Sequence, residues 1–257
     1  MRNGAILSDL VACDIAICPS QFQKTQFPEL FHDKIEVMHD GVDTETFVPL
    51  VGRGLKLPGL DLSSDDEIIT YVARGMEPYR GFPQFMAALE KVQKRRPDTQ
   101  AVILGEDRVA YGRQLEEGDS YKSKALADHD FDLSRIHFTG LLPRQDYLKV
   151  LQASSAHVYL TVPFVLSWSM MEAMSAGCLV LGSDTEPVRE LIEPNENGLL
   201  VDFHDVEAIA ETLYDALERQ DEFKQLRQNA RQTIVENYST DDIYARKIKL
   251  LSGLAPA

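Results

Sequence analysis

The stretch AHVYLTVPFVLSWSMMEAMSAGCLVLG, residues 156–182, determines the predicted fold. Apolar strand signals lie at both of its ends, at 156–160 and 178–182, and a helical segment lies between them after a short loop. Continuously apolar strands are typical of parallel sheets that are buried on both faces. We therefore predict that this stretch is a strand–helix–strand unit of such a sheet.

The same alternation of strand and helix signals extends along the rest of the chain. Short β-rich runs are predicted at residues 14–18, 34–38, 68–73, 100–104, 135–139, 156–160, 178–182 and 198–201. Between them, apolar residues recur at the three- and four-residue spacing of a helix face, as at Phe82, Phe85, Met86, Leu89 and Val92. Alternating strands and helices favour a parallel sheet that is covered on both sides. We predict an α/β fold with a doubly wound, Rossmann-like parallel sheet.

The charge balance limits the ligands that this chain can bind. Its 257 residues include 26 Lys+Arg and 41 Asp+Glu, which gives a formal net charge of −15. Such a surface repels phosphate backbones and anionic lipid, so we do not expect general binding of nucleic acid or membrane surfaces. No apolar run approaches the roughly 20 residues that span a bilayer, and the first residues do not lead into a secretory signal. A small basic pocket for a phosphorylated ligand remains compatible with this charge.

Cysteine and histidine usage predicts neither a metal site nor a disulfide framework. Cys13, Cys18 and Cys178 are an odd number of cysteines without CxxC spacing. The six histidines show no HExxH pattern, and His137 and His157 fall in strand signals, where we expect them to pack in the core. We therefore predict a protein without a bound metal in a reducing compartment, the cytoplasm.

One proline- and glycine-rich stretch breaks the periodic pattern. Residues 49–66 (PLVGRGLKLPGLDLSSDD) show no sustained period and are predicted to be a linker or long loop. This linker separates a short piece at 1–48, which is too small to bury a core of its own, from a main body at 67–235. Residues 236–257 are predicted to carry a final helix at 241–251.

Two arginines lie in YVARGMEPYRG, residues 71–81. This segment begins as a strand, opens into a loop that holds Arg74 and Arg80, and leads into a helix after Gly81. Guanidinium groups pair with phosphate oxygens in a bidentate way, and Gly75 and Gly81 allow a close approach of the backbone. These features favour a diphosphate site, but loop arginines that are simply solvated give the same pattern.

The loop after the strand at 156–160 leads into a helix that holds Glu172. Ligands of open α/β sheets bind at the carboxyl ends of strands, near helix N-termini, so the amides of residues 165–168 are candidates for holding a phosphate. Glu172 can accept hydrogen bonds from sugar hydroxyls in the same crevice. Ser169-x-x-Glu172 also has the spacing of a capping box, and the spacing alone leaves both interpretations open.

Taken together, these segments resemble the C-terminal half of a family 4, group 1 retaining glycosyltransferase. That family has two Rossmann-like domains that face each other across a cleft, the B-type fold. KIEVMHDGVDTETFVP at 34–49 is similar to the close of the family's N-terminal domain, and residues 71–81 are similar to its diphosphate loop. HFTGLLPRQDYLKVLQAS at 137–154 is similar to its nucleobase strand and the following helix, and MMEAMSAGCLVLGSD and PVRELIEPNENGLLVD, at 170–184 and 187–202, are similar to its closing motifs.

The resemblance implies a role for each matching residue. It implies that Arg74 and Arg80 bind the donor diphosphate, with Arg80 where a lysine is usual. It implies that Glu172, as the second glutamate of a Glu-x7-Glu motif, binds the donor ribose. The backbone of two further residues is implied to contact the nucleobase, Leu141 and Leu142. The helix N-terminus that is implied to contact the phosphates and the sugar comprises Val165, Leu166, Ser167 and Trp168.

The chain departs from the family pattern in two ways. Phe164 occupies the position of the motif's first glutamate, and its ring cannot accept a hydroxyl hydrogen bond, so we expect recognition of the donor sugar to differ there. Nearly all of the N-terminal acceptor domain is absent from the match, so residues 1–48 are expected to be its remnant and the chain a truncated form. Exposed apolar surface at 1–48 and on the last helix, with homodimerisation as a consequence, is then expected.

The function that the resemblance implies is retaining transfer of a sugar from a UDP- or GDP-linked donor to an unknown acceptor. The resemblance implies no metal and no cofactor besides this donor. A catalytically incompetent module that binds nucleotide or nucleotide sugar is the main alternative. Half of a nucleotide-sugar epimerase, which shares the fold, is a weaker one.

Overall fold

The computed structural model describes residues 4–50, 54–63 and 66–253. Within these ranges the strands are β1 (Ala16–Cys18), β2 (Ile35–Val37), β3 (Leu55–Leu57), β4 (Leu60–Leu62), β5 (Ile68–Gly75), β6 (Gln100–Glu106), β7 (Ile136–Gly140), β8 (Ala156–Tyr159), β9 (Val180–Ser183) and β10 (Leu199–Val201). The α-helices of the same ranges are α1 (Gly4–Ala12), α2 (Gln21–Thr25), α3 (Phe82–Arg95), α4 (Tyr121–Asp128), α5 (Arg144–Gln152), α6 (Trp168–Ser175), α7 (Glu186–Arg189), α8 (Val206–Glu218), α9 (Lys224–Tyr238) and α10 (Thr240–Ser252).

A six-stranded parallel sheet organises the main body of the protein. Its strand order is β10-β9-β8-β5-β6-β7, and every pairing within it is parallel. The strand order reverses between β5 and β8, the two central strands, because the chain builds outward first on one side of β5 and then on the other. The predicted doubly wound α/β fold is confirmed, and each of the eight predicted strands is present.

Helices cover both faces of the sheet with the apolar residues that the sequence spacing indicated. On one face, Phe85 and Leu89 of α3 are fully buried with Leu213 of α8. On the other face, Met170 of α6 is fully buried with Ile234 of α9. Full burial of such a side chain contributes about 1.5–3 kcal/mol, so the 3-and-4 spacing of α3 and α8 is what attaches these helices to the sheet.

The prediction of a linker at 49–66 is wrong for the part between residues 54 and 63, whereas residues 51–53 and 64–65 of that segment lie outside the described residues. Strands β3 and β4 form an antiparallel hairpin within it, and Leu55 is fully buried in one cluster with Ile68 and Val102 of the sheet. The Pro58–Gly59 turn between the strands places Gly59 at φ 80°, a backbone conformation that glycine adopts readily. Proline and glycine therefore mark a tight hairpin turn here, and the flanking leucines extend the core.

Residues before the hairpin include a small parallel pair, β1 with β2, and several hydrogen bonds join these residues to the main body. The Glu190 carboxylate accepts hydrogen bonds from the amides of Gln21 (2.8 Å) and Phe22 (2.6 Å), at the start of α2. The Thr240 amide, at the start of α10, donates to the Val42 carbonyl at 2.9 Å. The small pair is thereby held against α7 and the C-terminal helices.

The C-terminal part differs from the prediction in one boundary. The expected final helix is confirmed as α10. Helix α9 continues through the predicted boundary between residues 235 and 236 without a break. In the described part of the chain, no helix is both long and apolar enough to cross a bilayer.

Candidate functional site

A cavity of about 390 Å³ lies at the carboxyl ends of β5 and β8. These are the two strands at which the strand order reverses, and open α/β sheets bind their ligands at that position. Its lining includes Arg74, Arg80, Phe164 and Trp168. We call it the arginine cavity, and it brings together the two segments that the sequence singled out.

Arg74 and Arg80 enter this cavity without a carboxylate partner. Arg74, near the end of β5, is exposed and has no hydrogen bond or ion pair with any residue in the described ranges. Arg80 donates through Nη1 to Thr161 Oγ1 at 3.1 Å, to Tyr159 Oη at 3.4 Å and to the Val165 carbonyl at 3.4 Å. All three partners are neutral, so the positive charge of both guanidinium groups remains available to an anion.

A short 3₁₀ turn and a left-handed glycine position Arg80. The turn spans Pro78–Arg80 and ends at Gly81, which has φ 65° and precedes α3. A Cβ atom on Gly81 would lie 2.4 Å from Leu160 Cβ, so only glycine fits between the turn and β8. The Tyr71 hydroxyl donates to the Arg80 carbonyl at 2.8 Å and fixes the backbone that carries the guanidinium group.

Gly75 has a different reason to be glycine. Its φ is not in the left-handed region, but an added Cβ would meet the Arg108 carbonyl oxygen at 2.5 Å. The loop after β6 therefore packs directly against the backbone that follows Arg74. The close approach predicted for Gly75 is an approach to another part of this chain.

Helix α6 begins beside the arginine cavity, with Ser167 as its N-cap. The Ser167 hydroxyl accepts from the Ser169 amide at 3.3 Å, while the Ser167 amide donates to Tyr159 Oη at 2.8 Å. The amide of Ser167 is therefore already engaged within the protein. Val165 and Trp168 are exposed next to it and line the cavity.

The capping interpretation of Glu172 is wrong. Because the helix begins at Trp168 rather than after Ser169, Glu172 is in the second helical turn, beyond reach of the first amides. Its carboxylate instead accepts a hydrogen bond of 2.8 Å from the Tyr147 hydroxyl of α5. Burial raises the pKa of Glu172 above its ordinary value, while this hydrogen bond and the charge of Arg144 oppose the rise.

Glu172 lines a second cavity of about 660 Å³ that adjoins the first. The lining of this cavity, which we call the glutamate cavity, includes Arg144, Glu172 and Tyr244. Trp168 and Asp40 line both cavities and so mark where they meet. An extended ligand with an anionic part near the arginines can thus place a polar part near Glu172.

The family is settled by a match over most of the chain. Residues 56–233 match the family model for glycosyl transferases group 1. The chain belongs to the group 1 glycosyltransferases. Residues 1–47 match a separate model, the glycosyl transferase family 4 group. The resemblance of the sequence motifs to this family is therefore confirmed.

Known glycosyltransferases share about half of their length with this chain. The phosphatidyl-myo-inositol mannosyltransferase of Mycolicibacterium smegmatis is 28% identical over 203 residues, 76% of this chain and 46% of the relative. The GDP-mannose:cellobiosyl-diphosphopolyprenol alpha-mannosyltransferase of Xanthomonas oryzae is 24% identical over 216 residues, 84% of this chain and 52% of the relative. The chain spans about half the length of the curated relatives it matches.

A solved structure with the same fold is Anabaena HepE in complex with UDP-glucose. It superposes with a TM-score of 0.74 at 17% identity, over 94% of this chain and 64% of HepE. At that identity the likeness shows the fold alone. The fold is that of the B-type glycosyltransferases.

The predicted nucleobase residues of this glycosyltransferase lie apart from the two cavities. Leu141 and Leu142 follow β7 at the edge of the sheet and line neither cavity. Leu141 is 68% exposed, whereas Leu142 packs on the cluster that contains Leu55 and Val150. Their role at a nucleobase remains a prediction.

The sequence analysis did not single out Tyr111 as a cavity residue. Tyr111 lies in the loop after β6, and its ring meets the Phe164 ring edge-on, with centroids 5.1 Å apart. The buried Glu77 holds this loop, because its carboxylate accepts the Tyr111 amide at 2.5 Å. No sequence pattern marks Tyr111, because its place in the arginine cavity depends on how that loop folds back. His39, two residues after β2, also lines the arginine cavity, and a polar residue just beyond the carboxyl end of a predicted strand is a sequence signal for such a position.

Proposed function

We propose that this glycosyltransferase chain binds a UDP- or GDP-linked sugar, with the diphosphate in the arginine cavity and the ribose at Glu172. One observation carries the proposal. In a chain of net charge −15, Arg74 and Arg80 line one cavity and neither has a carboxylate partner within the described ranges. A diphosphate supplies the charge and the paired oxygens that two guanidinium groups bind.

The remaining site residues follow from this placement. The start of α6 contributes its dipole and the exposed region around Val165 and Trp168 to the phosphates and the sugar. The Leu141 and Leu142 backbone is proposed to contact the nucleobase from the edge of the sheet. The Xanthomonas relative is named for GDP-mannose, and HepE was crystallised with UDP-glucose, which supports a nucleotide-sugar donor without selecting the base.

The proposed reaction is sugar transfer with retention of configuration at the anomeric carbon. The acceptor hydroxyl oxygen bonds to the anomeric carbon on the face from which the diphosphate departs, the bond to the diphosphate oxygen breaks, and the acceptor proton passes to the departing diphosphate. Negative charge grows on the departing diphosphate, so preorganised cations at that position accelerate the reaction. Arg74 and Arg80 provide this stabilisation, and we propose that neither a metal nor another cofactor takes part.

We also propose a cytoplasmic, reducing compartment. Cys13, Cys18 and Cys178 are an odd number of cysteines without CxxC spacing. Cysteine usage of this kind is typical of proteins that are kept in reducing compartments.

The test combines binding and turnover with the purified chain. UDP, GDP and a panel of their sugars are titrated by calorimetry, and product formation is followed with the donor that binds most tightly. Arg74→Ala and Glu172→Ala are expected to weaken donor binding by about tenfold or more, since each removes hydrogen bonds to a charged group or ligand. Arg219→Ala, an exposed arginine at the end of α8, is the matched control and should bind as the wild type does.

The outcomes separate the enzyme from the binding module. Turnover that falls in Arg74→Ala and Glu172→Ala supports the transferase. Donor binding that these variants abolish, without turnover in the wild type, leaves a nucleotide-binding module. If neither nucleotide binds the wild type, the proposed function is wrong.

A further inference from the structure

Two aromatic rings flank the guanidinium group of Arg80. Its Cζ atom lies 5.3 Å from the centroid of the Phe164 ring and 5.9 Å from that of the Tyr111 ring. The two rings are inclined by 60° to each other, so they form a corner around the cation. A guanidinium group within about 6 Å of a ring centroid is attracted to the negative face of the ring.

The hydrogen bonds of Arg80 leave one side of the guanidinium group unused. All of its side-chain hydrogen bonds within the described ranges run from Nη1, to Thr161, Tyr159 and Val165. Nε and Nη2 have no partner there, and the group borders the arginine cavity. Free donors on one edge of the fork are what a bidentate contact to phosphate oxygens requires.

The fold holds both aromatic rings, Phe164 and Tyr111, in place beside Arg80. Glu77 is fully buried and fixes the Tyr111 backbone, while Gly75 packs against Arg108 in the same loop. Phe164 is half-buried and comes from the loop that leads into α6. Two separate segments of the chain are thus brought to one cation.

We propose that Phe164 and Tyr111 are positioning residues that hold Arg80 with its unused edge toward the diphosphate; this inference rests on the proposed function. An aromatic ring attracts the cation without offering a localised negative charge, so it orients Arg80 and leaves its charge to the ligand. A carboxylate introduced at residue 164 would form a charge-assisted pair with Arg80 and so compete with the ligand. Phe164 and the arginine at residue 80 are therefore one coupled arrangement.

A double-mutant cycle tests this coupling by calorimetric titration of UDP and GDP. Phe164→Leu removes the ring but keeps an apolar side chain, and it should weaken nucleotide binding by about threefold, the value of an exposed cation–π contact. In an Arg80→Met background, the same Phe164→Leu change should alter binding by less than about twofold, because the cation is gone. Phe164→Tyr keeps a ring and should restore wild-type binding.

Phe164→Glu gives a second readout. It distinguishes the positioning role from one in which Phe164 only forms an apolar wall of the cavity. We expect this variant to lose about tenfold in affinity at neutral pH through its pair with Arg80. Because protonation of the new carboxyl releases Arg80, the loss relative to wild type should shrink as the pH is lowered. The Phe164→Glu loss should also disappear in the Arg80→Met background.

The results distinguish failure of the inference from failure of the proposed function. Suppose that the wild type binds nucleotide and that Arg80→Met weakens this binding. If Phe164→Leu then lowers the affinity equally in both backgrounds, the positioning role is wrong and the proposed function stands. A Phe164→Glu loss that does not depend on pH or on Arg80 overturns it as well. Absence of UDP and GDP binding by the wild type overturns the proposed function, and this inference with it.

Discussion

Glu172 is a half-buried carboxylate that is hydrogen-bonded to Tyr147 of α5 and not to the amides of its own helix. Burial raises its pKa, so its ionised form costs folding free energy at neutral pH, and that cost diminishes as the pH is lowered toward the ordinary value. Its hydrogen bond from Tyr147 engages Oε2, so Oε1 is the atom that would accept from the ribose hydroxyls of the proposed donor. We therefore expect Glu172 to lower the free energy of unfolding and to strengthen ligand binding.

Glu172→Gln should separate these two effects. Nucleotide affinity should fall by about tenfold at neutral pH, and the decline of wild-type affinity that accompanies protonation of Glu172 on acidification should be lost. The free energy of unfolding should stay the same or rise, because a neutral amide removes the desolvation cost. Calorimetry and urea unfolding measure the two quantities, and a destabilised variant with unchanged affinity would show that Glu172 is structural.

His157 makes the stability of the protein depend on pH. It is fully buried in β8, its Nδ1 lies 2.9 Å from Thr70 Oγ1, and burial lowers its pKa to about 3. In the unfolded chain the same imidazole is protonated below about pH 6.5. The unfolded state therefore binds a proton that the folded state does not bind. The free energy of unfolding falls as the pH drops below the pKa of the histidine in the unfolded chain.

Replacement of this histidine should flatten the pH profile. Wild type should lose about 1.4 kcal/mol of unfolding free energy per pH unit through this group between about pH 6 and pH 4. In His157→Asn this slope should be smaller by the contribution of one proton, about 1.4 kcal/mol per pH unit. The difference in slope is expected even if the variant is less stable overall. Urea unfolding at several pH values measures it, and equal slopes in the two proteins would refute the assignment.

At the scale of elements, the hairpin β3–β4 is the clearest addition to the sequence-based description. Leu55 and Lys56 are neighbours on β3, but Leu55 is fully buried whereas the Lys56 side chain is 82% exposed and pairs with Asp61 on the surface. Alternation along a strand produces this contrast. The two residues thus form a matched pair for testing whether the hairpin belongs to the core.

Leu55→Ala should lower the free energy of unfolding by about 2–5 kcal/mol, through lost burial and the cavity left behind. Lys56→Ala should change it by less than about 1 kcal/mol, since exposed ion pairs contribute little. Thermal or urea unfolding compares them. Equal and small effects would mean that the segment is a linker after all.

At the scale of the whole molecule, apolar side chains are exposed in the two regions that the sequence analysis named. On α1, Ile6 and Val11 are 48% and 68% exposed. On α10, Tyr244, Ile248 and Leu251 are each more than half exposed and share one helix face. Such groups favour association with another apolar surface, so we expect the chain to form a homodimer through these regions.

Light scattering over a range of concentrations should show an increase in average mass above that of the monomer. Ile248→Glu should shift the equilibrium toward monomer, because a carboxylate would be buried in the contact. Lys249→Gln, which changes the net charge by the same amount on a neighbouring position, should not. A monomer at every concentration in all three proteins would exclude the dimer.

The sequence by itself determined the elements and the family. The apolar strands, the periodic helices and the in-register motifs depend on the spacing of residues along the chain. They can therefore be recognised from the sequence alone. The hairpin was missed because Pro58 and Gly59 lie between its two short strands, and proline and glycine at this density indicate a loop when only composition is considered. The helix start at Trp168 escaped because serines at 167 and 169 both suit a cap, and only packing selects between them.

The tertiary structure alone decided what each candidate residue faces. The reversal of strand order brings Arg80 and Phe164, 84 positions apart in the sequence, to one cavity. Neither local propensity nor spacing specifies that Tyr111 completes their corner, because this depends on a buried carboxylate, Glu77, that folds a loop back. Contacts between distant segments depend on which strands pair. The sequence therefore supplies the side chains of this site, whereas the fold decides which of them lie close enough to act together.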